Sequence, residues 1–297
     1  MNNLNFYSLL KDKFSEQLRF IPNKKLFNLK DSVYQFIFIS KKRIITKNKD
    51  PFFYRKNRIC KSLQSFTLSY VTKKKNKIFI LCDLGEKRLE NIIFKNCEFL
   101  NIRETLFNLQ RDKASIVSAC YSLYSWQVNN KYCGKCGSKT RLSDNGNSLV
   151  CSKKNCYKKS FPSVYPTVIV NIVHKEKILL ARNIEWNKNL YSCLAGFCEQ
   201  NETAEEALRR EVYEEVGLEL KKIKYRYSQY WPFNSNLMLG FEATALSNEI
   251  KLNKSELEKA KWFSAKEVID LEKAGKLILP RKEAIAYSLI NDWLKKN

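Results

Sequence analysis

The sequence has a single histidine, His174, and neither an internal repeat nor an apolar run of about 18 residues. With one histidine, a catalytic triad that depends on histidine is implausible, and His174 is expected at the surface, at the end of a strand. Because no apolar segment is long enough, we expect no transmembrane helix. The N-terminus contains Asp12 and Glu16 and lacks the basic-then-apolar order of a secretory signal. We therefore expect a cytoplasmic protein that does not bind a membrane.

The composition indicates a folded chain with a large excess of positive charge. Of its 297 residues, 44% are hydrophobic and 28% are charged, which is typical of a folded protein of two or three units. The formal net charge is +24, and runs such as Lys73 to Lys75 could follow a nucleic-acid backbone. The alternative is a compositional bias toward Lys, Asn, Ile, Phe and Tyr. The spread of the charge along the chain favours this second explanation.

Four of the ten cysteines have the spacing of metal ligands. Cys133 and Cys136 form one short loop, and Cys151 and Cys156 form a second, with Gly146 at a predicted turn between them. Two such loops are typical of a rubredoxin-like zinc ribbon, in which four thiolates hold a structural Zn²⁺. Disulfides are not expected, because nothing marks secretion. The other cysteines are expected to be buried thiols: Cys60, Cys82, Cys97, Cys120, Cys193 and Cys198.

Glutamates recur at helical spacing between residues 196 and 218. In a helix, Glu211, Glu214 and Glu215 would share one face. Three carboxylates on one face repel each other, and a bound hard cation such as Mg²⁺ or Mn²⁺ would remove that repulsion. The sequence therefore predicts a divalent-metal site on this helix, with Glu211 and Glu215 as ligands and Glu214 as a third ligand or the general base.

Local signals agree with a helix over residues 204–215. Thr203 can cap its start, and Gly217 suits the left-handed residue that ends it. Gly196 is interpreted as part of a tight entry loop. The apolar stripe on the opposite side should pack on a core and consists of Ala204, Leu208, Val212 and Val216.

The same stretch matches the pattern G-x5-E-x7-R-E-U-x-E-E-x-G-U, in which U is aliphatic. The matching residues are Gly196, Glu202, Arg210, Glu211, Val212, Glu214, Glu215, Gly217 and Leu218. This pattern resembles the Nudix box, and the resemblance implies hydrolysis of a nucleoside diphosphate linked to another moiety. A solvated acidic helix, the alternative, would explain scattered glutamates but not the fixed glycine and arginine. Glu202 and Arg210 are expected to orient the loop and the helix.

Residues 228–238, SQYWPFNSNLM, resemble the SQPWPFPxS motif of the NADH pyrophosphatase branch of the Nudix hydrolases, which also has a zinc ribbon before the Nudix domain. Tyr230, Asn234 and Asn236 depart from that motif. The predicted substrate-binding residues of this array are Gln229, Trp231, Pro232 and Phe233. The aromatic rings offer faces for stacking, and the glutamine offers a donor and an acceptor. The alternative is a proline-stiffened hairpin whose aromatic residues fill the core.

The resemblance implies further contacts. Substrate contacts are implied for Arg103, Phe161, Phe197 and Ala286, whereas an acidic contact of the family is absent because Gly146 stands in its place. Two more metal ligands are implied: the carbonyl of Ala195, and Glu256, which begins a segment similar to the family's E-L-x-x-A-x-W. An ordinary surface glutamate is the alternative for Glu256.

The expected fold class is α+β, with a Nudix α/β/α sandwich preceded by the zinc ribbon and a small α+β domain. The expected domains are residues 1–126, 127–162 and 163–297. Predicted elements are strands at 34–39 and 77–82, a turn at Asp50-Pro51, a helix within 106–126, strands at 167–174 and 177–182 around a turn at 175–177, two strands within 224–246, and a helix at 280–295 that begins at Pro280.

These observations predict metal-assisted attack of water on the pyrophosphate of NADH or NAD⁺, giving nicotinamide mononucleotide and AMP. One alternative is removal of the NAD cap from RNA by the same site. A second is a non-catalytic zinc-ribbon module that binds nucleic acid. The resemblance also implies a homodimer.

Overall fold

The computed structural model describes residues 34–41, 43–51, 67–74, 77–85 and 96–297. The chain divides into two compact units, one within residues 7–163 and the other within residues 164–297. Within the described ranges, no helix is both long and apolar enough to cross a bilayer. Cys60 and Lys75 lie outside these ranges.

A mixed six-stranded sheet forms the first part of the first unit. Its strands are β1 (Tyr34–Ser40), β2 (Arg43–Lys47), β3 (Asp50–Pro51), β4 (Thr67–Lys74), β5 (Lys77–Asp83) and β6 (Glu98–Asn101). Their order is β3-β2-β1-β5-β4, with β6 paired to β2, and the central strands β1 and β5 run parallel. Both central strands are almost fully buried, as their continuous apolar sequences require, and they confirm the strands predicted at 34–39 and 77–82.

The predicted turn at Asp50-Pro51 is wrong. These two residues pair with Lys47 and Thr46 in an antiparallel ladder at the edge of the sheet. The turn lies one step earlier, at Asn48 and Lys49, whose φ angles are 53° and 64°. Proline is tolerated in β3 because an edge strand does not need its N–H group for a further ladder.

Two helices follow, α1 (Ile102–Asn108) and α2 (Arg111–Asn129), where the sequence predicts one. The helical path breaks at Leu109 and Gln110, which both have extended backbone angles. Leu109 is buried, so the break turns its side chain into the core.

The zinc ribbon contains β7 (Thr140–Ser143), β8 (Ser148–Cys151) and β9 (Lys159–Ser160), in the order β7-β8-β9. The predicted turn at Gly146 is confirmed: this residue has φ +87°. An added Cβ there would lie 2.1 Å from Ser69 Oγ, and the Gly146 carbonyl accepts a hydrogen bond of 2.7 Å from Gln127 Nε2. The ribbon therefore packs directly on β4, and no side chain fits at this point.

The second unit contains a six-stranded sheet and three helices. Its elements are β10 (Tyr165–His174), β11 (Lys177–Asn183), β12 (Leu194–Phe197), α3 (Ala204–Val216), β13 (Leu220–Trp231), β14 (Asn236–Ala245), β15 (Leu257–Ser264), α4 (Ala265–Lys273) and α5 (Ile285–Leu294). The order is β13-β14-β10-β11-β15, with β12 paired to β10. β10 and β11 form the predicted antiparallel hairpin, and β13 and β14 are the two strands predicted within 224–246.

Both faces of this sheet are covered by helices. On β10, Val168 and Val170 belong to the cluster that contains Leu208 and Val212 of α3, whereas Ile169 belongs to the cluster with α5. Successive side chains of a strand point to opposite faces, so one apolar strand supplies both cores. This arrangement is the α/β/α sandwich expected from the sequence.

The last helix begins five residues later than predicted. α5 starts at Ile285, and Pro280 lies in the irregular segment before it. The proline is a valid start signal, but the first helical turn is set by a tertiary contact, described below for Gln229.

Candidate functional site

Helix α3 is defined by its own terminal residues. The Thr203 hydroxyl accepts a hydrogen bond from the Glu206 N–H at 3.2 Å, and the Glu206 carboxylate accepts one from the Thr203 N–H at 2.8 Å. At the other end, Gly217 has φ +67° and its N–H donates to the Tyr213 carbonyl at 2.8 Å. The predicted cap residues are confirmed, and the helix extends one residue beyond the predicted end.

The three glutamates of the predicted metal site, Glu211, Glu214 and Glu215, occupy different environments on α3. Glu215 is only 7% exposed and borders the buried stripe of Val212 and Val216. The side chain of Glu211 is 17% exposed, and that of Glu214 is 54% exposed. The shared face is therefore graded, from a buried carboxylate to a solvated one.

Gly196 lies in strand β12 and not in an entry loop, so that interpretation is wrong. A Cβ at this position would lie 1.9 Å from Cδ of Glu211. The missing side chain allows the Glu211 carboxylate to lie against the strand backbone, next to the peptide of Ala195. Glycine is needed here for close approach rather than for a turn.

Arg210 ties the loop before α3 to the helix. Its Nε and Nη2 donate to the two carboxylate oxygens of Glu202 at 2.7 and 3.0 Å, and Nη2 also donates to the Phe197 carbonyl at 2.9 Å. Its Nη1 lies 3.0 Å from Glu211 Oε1 and 3.1 Å from Glu214 Oε2. The bidentate pair lowers the pKa of Glu202 to about 2. Arg210 has the orienting geometry that the sequence predicts.

Glu256 is brought to this helix by the loop before β15. The Lys251 N–H donates to the Val216 carbonyl and the Asn253 N–H to the Glu215 carbonyl, both at 2.9 Å. Glu256 follows in the turn that these bonds anchor, and its own N–H donates to the Asn253 carbonyl at 3.4 Å. The glutamate is thus not on a helix surface, and its loop is bonded to the last turn of α3.

Of the three helix carboxylates Glu211, Glu214 and Glu215, the first two have Arg210 as a positive partner, whereas Glu215 has no ion pair with any residue that the structure describes. Burial, followed by the negative charges of Glu211, Glu256 and Glu214, raises the pKa of Glu215 to about 8. Burial also raises the pKa of Glu211, although Arg210 opposes the shift. Oε2 of Glu215 is buried and has no hydrogen-bond partner within the described part of the chain. An unpaired buried carboxylate oxygen among further carboxylates fits the oxygen-rich ligand set of a hard divalent cation.

The aromatic array follows strand β13. The rings of Trp231 and Phe233 meet edge to face, with centroids 5.3 Å apart and an interplanar angle of 74°. Both are half-buried, whereas Pro232 between them is buried. Asn234 has φ +63°, a value that proline cannot adopt, so the loop differs here from one with proline at this position. In β12, Phe197 is 51% exposed.

The side chain of Gln229 is buried and hydrogen-bonded through both of its amide atoms to the segment that begins α5. The residue is 1% exposed; its Nε2 donates to the Glu283 carbonyl, and its Oε1 accepts from the Ile285 N–H, both at 2.7 Å. The amide bridges β13 to the N-terminus of α5 and determines where that helix begins. The predicted substrate contact through this side chain is therefore not supported.

Ala286 is also enclosed. It is 6% exposed and belongs to the cluster that contains Ile285, Leu289 and Ile290. Its side chain packs in the core between the sheet and α5, so a contact between this methyl group and a substrate is not supported.

Arg103 and Phe161 belong to the first unit. Arg103 is exposed in the first turn of α1, which Asn101 caps. Phe161 is 62% exposed, with Lys159 Nζ 5.4 Å from its ring centroid. The substrate contacts implied for both residues stay predictions.

The four predicted zinc ligands converge. Their sulfur atoms all lie within 4.8 Å of one another, with Cys133 and Cys156 Sγ 3.9 Å apart and Cys136 and Cys151 Sγ 3.5 Å apart. Four sulfurs at about 2.3 Å from one Zn²⁺ would be about 3.8 Å apart. Hydrogen bonds, chiefly from the Ser138 N–H, lower the pKa of Cys136 to about 6. For Cys151, the Lys153 N–H lowers the pKa, but burial and the other three cysteines raise it to about 12. The residues fit a structural zinc ion.

The other described cysteines have no such grouping. Cys82, Cys120 and Cys193 are buried, and burial raises the pKa of each thiol, as expected of packing residues. Cys97 and Cys198 are half-buried.

Comparison with known proteins places this site in a family. The family described as NUDIX domain matches residues 164–284, which include the helix α3 box, the aromatic array and Glu256. Residues 164–284 belong to the Nudix family. Its Nudix domain lies within the second compact unit.

Named relatives of this Nudix protein include three examples. It is 37% identical over 215 residues to the NAD-capped RNA hydrolase NUDT12 of Homo sapiens, covering 68% of this chain and 46% of that protein. It is 39% identical over 212 residues to the mitochondrial NAD(P)H pyrophosphatase NUDT13 of Mus musculus, covering 66% and 59%. It is 34% identical over 184 residues to the NAD-capped RNA hydrolase NudC of Pseudomonas entomophila, covering 62% and 66%. The Nudix protein thus spans less than two thirds of the length of each.

The sequence did not reveal every residue on which this Nudix site depends. The loop bonds of Lys251 and Asn253 to the end of α3, and the bridge made by Gln229, are contacts between distant segments that no local pattern encodes. The match of residues 256–262 to E-L-x-x-A-x-W was the one signal that pointed to this loop.

Proposed function

We propose that this Nudix protein hydrolyses the pyrophosphate bond of NADH or NAD⁺, releasing nicotinamide mononucleotide and AMP. The observation that carries the proposal is the buried, unpartnered Oε2 of Glu215 beside Glu211, with Glu256 held near by its loop. The NAD(P)H pyrophosphatase named among the relatives supports the choice of substrate.

In this proposal Glu211, Glu215, Glu256 and the carbonyl of Ala195 hold Mg²⁺ or Mn²⁺. When bound, the metal neutralises the diphosphate and lowers the pKa of the attacking water. Arg210 keeps the Glu211 carboxylate against β12. Arg210 Nη1 also donates a hydrogen bond to Glu214 Oε2 at 3.1 Å, so the guanidinium orients that carboxylate as well.

Glu214 is assigned the role of general base. Glu214 is more exposed than Glu211 and Glu215 and directly precedes Glu215 in the chain. An ionised carboxylate at the solvent side of the ligands can accept a proton from the attacking water. Glu211 and Glu215 are less suited to this role because, as ligands, their oxygens would be occupied by the metal.

Three aromatic side chains, Phe197, Trp231 and Phe233, are assigned to stack on the rings of the substrate. Phe197 is half exposed at the end of β12, directly after the backbone that faces Glu211. Trp231 and Phe233 form a rigid edge-to-face pair that Pro232 stiffens. We assign nicotinamide or adenine stacking to these three rings. The substrate contacts of Arg103 and Phe161 are proposed on the family resemblance alone.

The zinc ion is assigned a structural role, because all four positions of a tetrahedral site are filled by Cys133, Cys136, Cys151 and Cys156. We also propose that the protein acts as a homodimer, on the basis of its family resemblance alone.

Product analysis tests the proposed reaction. The purified protein is incubated with NADH and either Mg²⁺ or Mn²⁺, and the products are separated chromatographically. We expect reduced nicotinamide mononucleotide and AMP in equal amounts. Glu215→Gln should abolish turnover, whereas Glu205→Gln, an exposed first-turn residue of the same helix, should retain it. A Glu215→Gln protein with wild-type turnover would remove the assignment.

Removal of an NAD cap from RNA is the second candidate function. It is favoured by the names of two relatives, NUDT12 and NudC, and by the net charge of +24. The chemistry and the site would be the same. A preference for NAD-capped RNA over free NADH that declines between low and moderate salt would identify this substrate, whereas equal turnover at all salt concentrations would exclude it.

A further inference from the structure

The zinc ribbon carries a concentration of positive charge that the even spread inferred from the sequence does not describe. Residues 127–162 contain eight lysines and arginines and one acidic residue, Asp144, compared with 54 and 30 in the whole chain. All eight basic side chains belong to exposed residues: Lys131, Lys135, Lys139, Arg141, Lys153, Lys154, Lys158 and Lys159. Lys159 pairs with Asp144 at 2.7 Å, and the other seven have no ion pair with any residue that the structure describes.

The metal site accounts for only part of this charge. Four thiolates around Zn²⁺ have a net charge of about −2, which nearby lysines can offset. Seven cations without a carboxylate partner exceed that requirement by about five. Since uncompensated like charges on a small module repel each other, the excess is unfavourable for the isolated fold and favours binding of a polyanion.

Backbone pairing gathers these cations on neighbouring segments. The carbonyls of Lys131, Lys139 and Lys158 each accept a hydrogen bond from the adjacent chain segment, at 2.9, 2.9 and 3.0 Å. Adjacent segments of this kind are spaced about 4.8 Å apart. The cross-strand register also aligns Arg141, Val150 and Lys159 in one row of the three-stranded sheet. Positive groups therefore recur across the full width of the ribbon.

Two exposed tyrosines lie among the lysines. Tyr132 is 64% exposed and forms a bridge to Lys139, and Tyr157 is 68% exposed and precedes Lys158. Tyr132 directly precedes Cys133, and Tyr157 directly follows Cys156. The sulfur atoms of these two cysteines are 3.9 Å apart, so both tyrosines are attached to neighbouring cysteines of the cluster. Large aromatic rings of this kind usually pack when they serve only the fold.

Tyr157 also adopts an unfavourable backbone conformation. In the first zinc loop the Cys133 N–H donates to the Ser138 carbonyl, and in the second the Cys151 N–H donates to the Lys158 carbonyl. The residue before each acceptor is left-handed: Gly137 with φ +70° and Tyr157 with φ +49°. Glycine adopts this conformation at no steric cost, whereas a bulky side chain is strained. A strained position that holds an exposed aromatic ring is not explained by stability.

We propose that the zinc ribbon binds single-stranded RNA, with its lysines on the phosphates and Tyr132 and Tyr157 stacked on bases. The combination of cations and exposed rings fits an unpaired strand, because the bases of a duplex are stacked on each other and an acidic peptide would leave the rings unused. The choice of RNA rather than DNA rests on the proposed function, in which an NAD-linked RNA is the second candidate substrate.

The test measures fluorescence anisotropy of a labelled, uncapped twelve-nucleotide oligouridylate with the full chain in its zinc-bound form. Tyr132→Ala and Tyr157→Gly are each expected to weaken binding about tenfold. Replacing Lys153, Lys154 and Lys158 with glutamine should lower the slope of log Kd against log salt by about two. The matched control replaces three exposed lysines of the second unit, Lys266, Lys273 and Lys276, and should leave affinity and slope at their wild-type values.

Zinc content and melting temperature of the tyrosine variants distinguish a folding defect from the loss of a contact with RNA. Tyr157→Gly relieves backbone strain, so zinc content should stay at about one ion per chain and the melting temperature should not fall. Tyr157→Phe, which keeps the ring, should bind as the wild type does. Tyrosine variants with wild-type affinity would overturn the proposal, as would equal affinity for duplex RNA or equal losses in the two lysine triples. Because the oligonucleotide has no cap, the result is independent of whether the protein hydrolyses NADH.

Discussion

At the scale of single residues, the position of the Glu211 carboxylate depends on a side chain that is missing. The carboxylate occupies the space where a Cβ of residue 196 would be. The sequence indicates that glycine is required, but the steric reason comes from a helix that follows eight residues later. Glu215 provides the complementary case, since its burial supplies the unpartnered oxygen on which the proposed metal site depends.

Gly196→Ala is expected to reduce metal-dependent hydrolysis of NADH by about a hundredfold, because displacing a catalytic carboxylate by about 1 Å has an effect of that size. Steady-state rates over a Mg²⁺ titration would measure it. Gly134→Ala is the control, since an added Cβ there meets no atom within 4 Å. If the Gly196→Ala enzyme had a normal rate and metal dependence, the close contact would have no functional importance.

Gln229→Ala is expected to lower the free energy of unfolding by about 1–3 kcal/mol, because it leaves the buried Ile285 N–H without an acceptor. Urea denaturation would measure the change. The KM for NADH should stay close to the wild-type value when measured on folded enzyme. A large rise in KM with unchanged stability would show that Gln229 contacts substrate after all.

At the scale of elements, helix termini are determined partly by local sequence and partly by distant contacts. The capping boxes of α3 and α4 are encoded within four residues each, Thr203 to Glu206 and Ser264 to Glu267. By contrast, α5 begins where Gln229 holds its first N–H, and the local signal at Pro280 is overruled. Asp50-Pro51 is a similar case: the dipeptide is a local turn signal, but it forms a strand because it pairs with β2.

The capping box of α4 predicts a pH-dependent contribution to stability. Hydrogen bonds from the Ser264 N–H and hydroxyl lower the pKa of Glu267 below 4.5. A depressed carboxylate pKa stabilises the fold above the unfolded-state pKa, and this stabilisation is lost as the pH falls through the folded-state value. Glu267→Gln should therefore lower the melting temperature at neutral pH, and its difference from wild type should narrow below about pH 4. A difference that is constant with pH would contradict this assignment.

At the scale of the whole molecule, the zinc ribbon differs from the Nudix unit in what stabilises it. The Nudix unit has two apolar clusters on either side of its sheet. The ribbon has few buried apolar residues, and its two cysteine loops are expected to be stabilised mainly by a shared metal ion. It is nevertheless joined to the sheet of the first unit, through Gly146, Ser69 and Gln127.

Loss of zinc is expected to destabilise the first unit selectively. Cys151→Ser, or treatment with a zinc chelator, should lower the first unit's unfolding transition in calorimetry and leave that of the Nudix unit near its original temperature. Cys193→Ser, which removes a thiol with no ligand spacing, serves as the control for a cysteine change. Equal shifts of both transitions would show that the ribbon stabilises the chain as a whole.

The sequence predicts those parts of the fold that depend on neighbouring residues, and it does not predict those that depend on contacts between distant segments. The strands at β1, β5, β10 and β11 follow from short apolar runs, and α3 follows from its caps and its stripe. The grouping of Cys133, Cys136, Cys151 and Cys156 follows from their spacing alone. Contacts between distant segments cannot be predicted in this way. The polarity of Gln229 and the motif position of Ala286 both indicate a substrate contact, and neither reveals that the side chain is buried in the fold.

The left-handed conformation of Asn234 limits what can be learned by averaging related sequences. The resembled motif has proline at this position, and a consensus redesign would introduce it as a stabilising change. Here the ring of proline would force φ from +63° to about −65° and reshape the turn between the two aromatic residues and β14. An engineer who imports the common residue would alter the loop beside the Trp231–Phe233 pair while intending only to raise thermal tolerance.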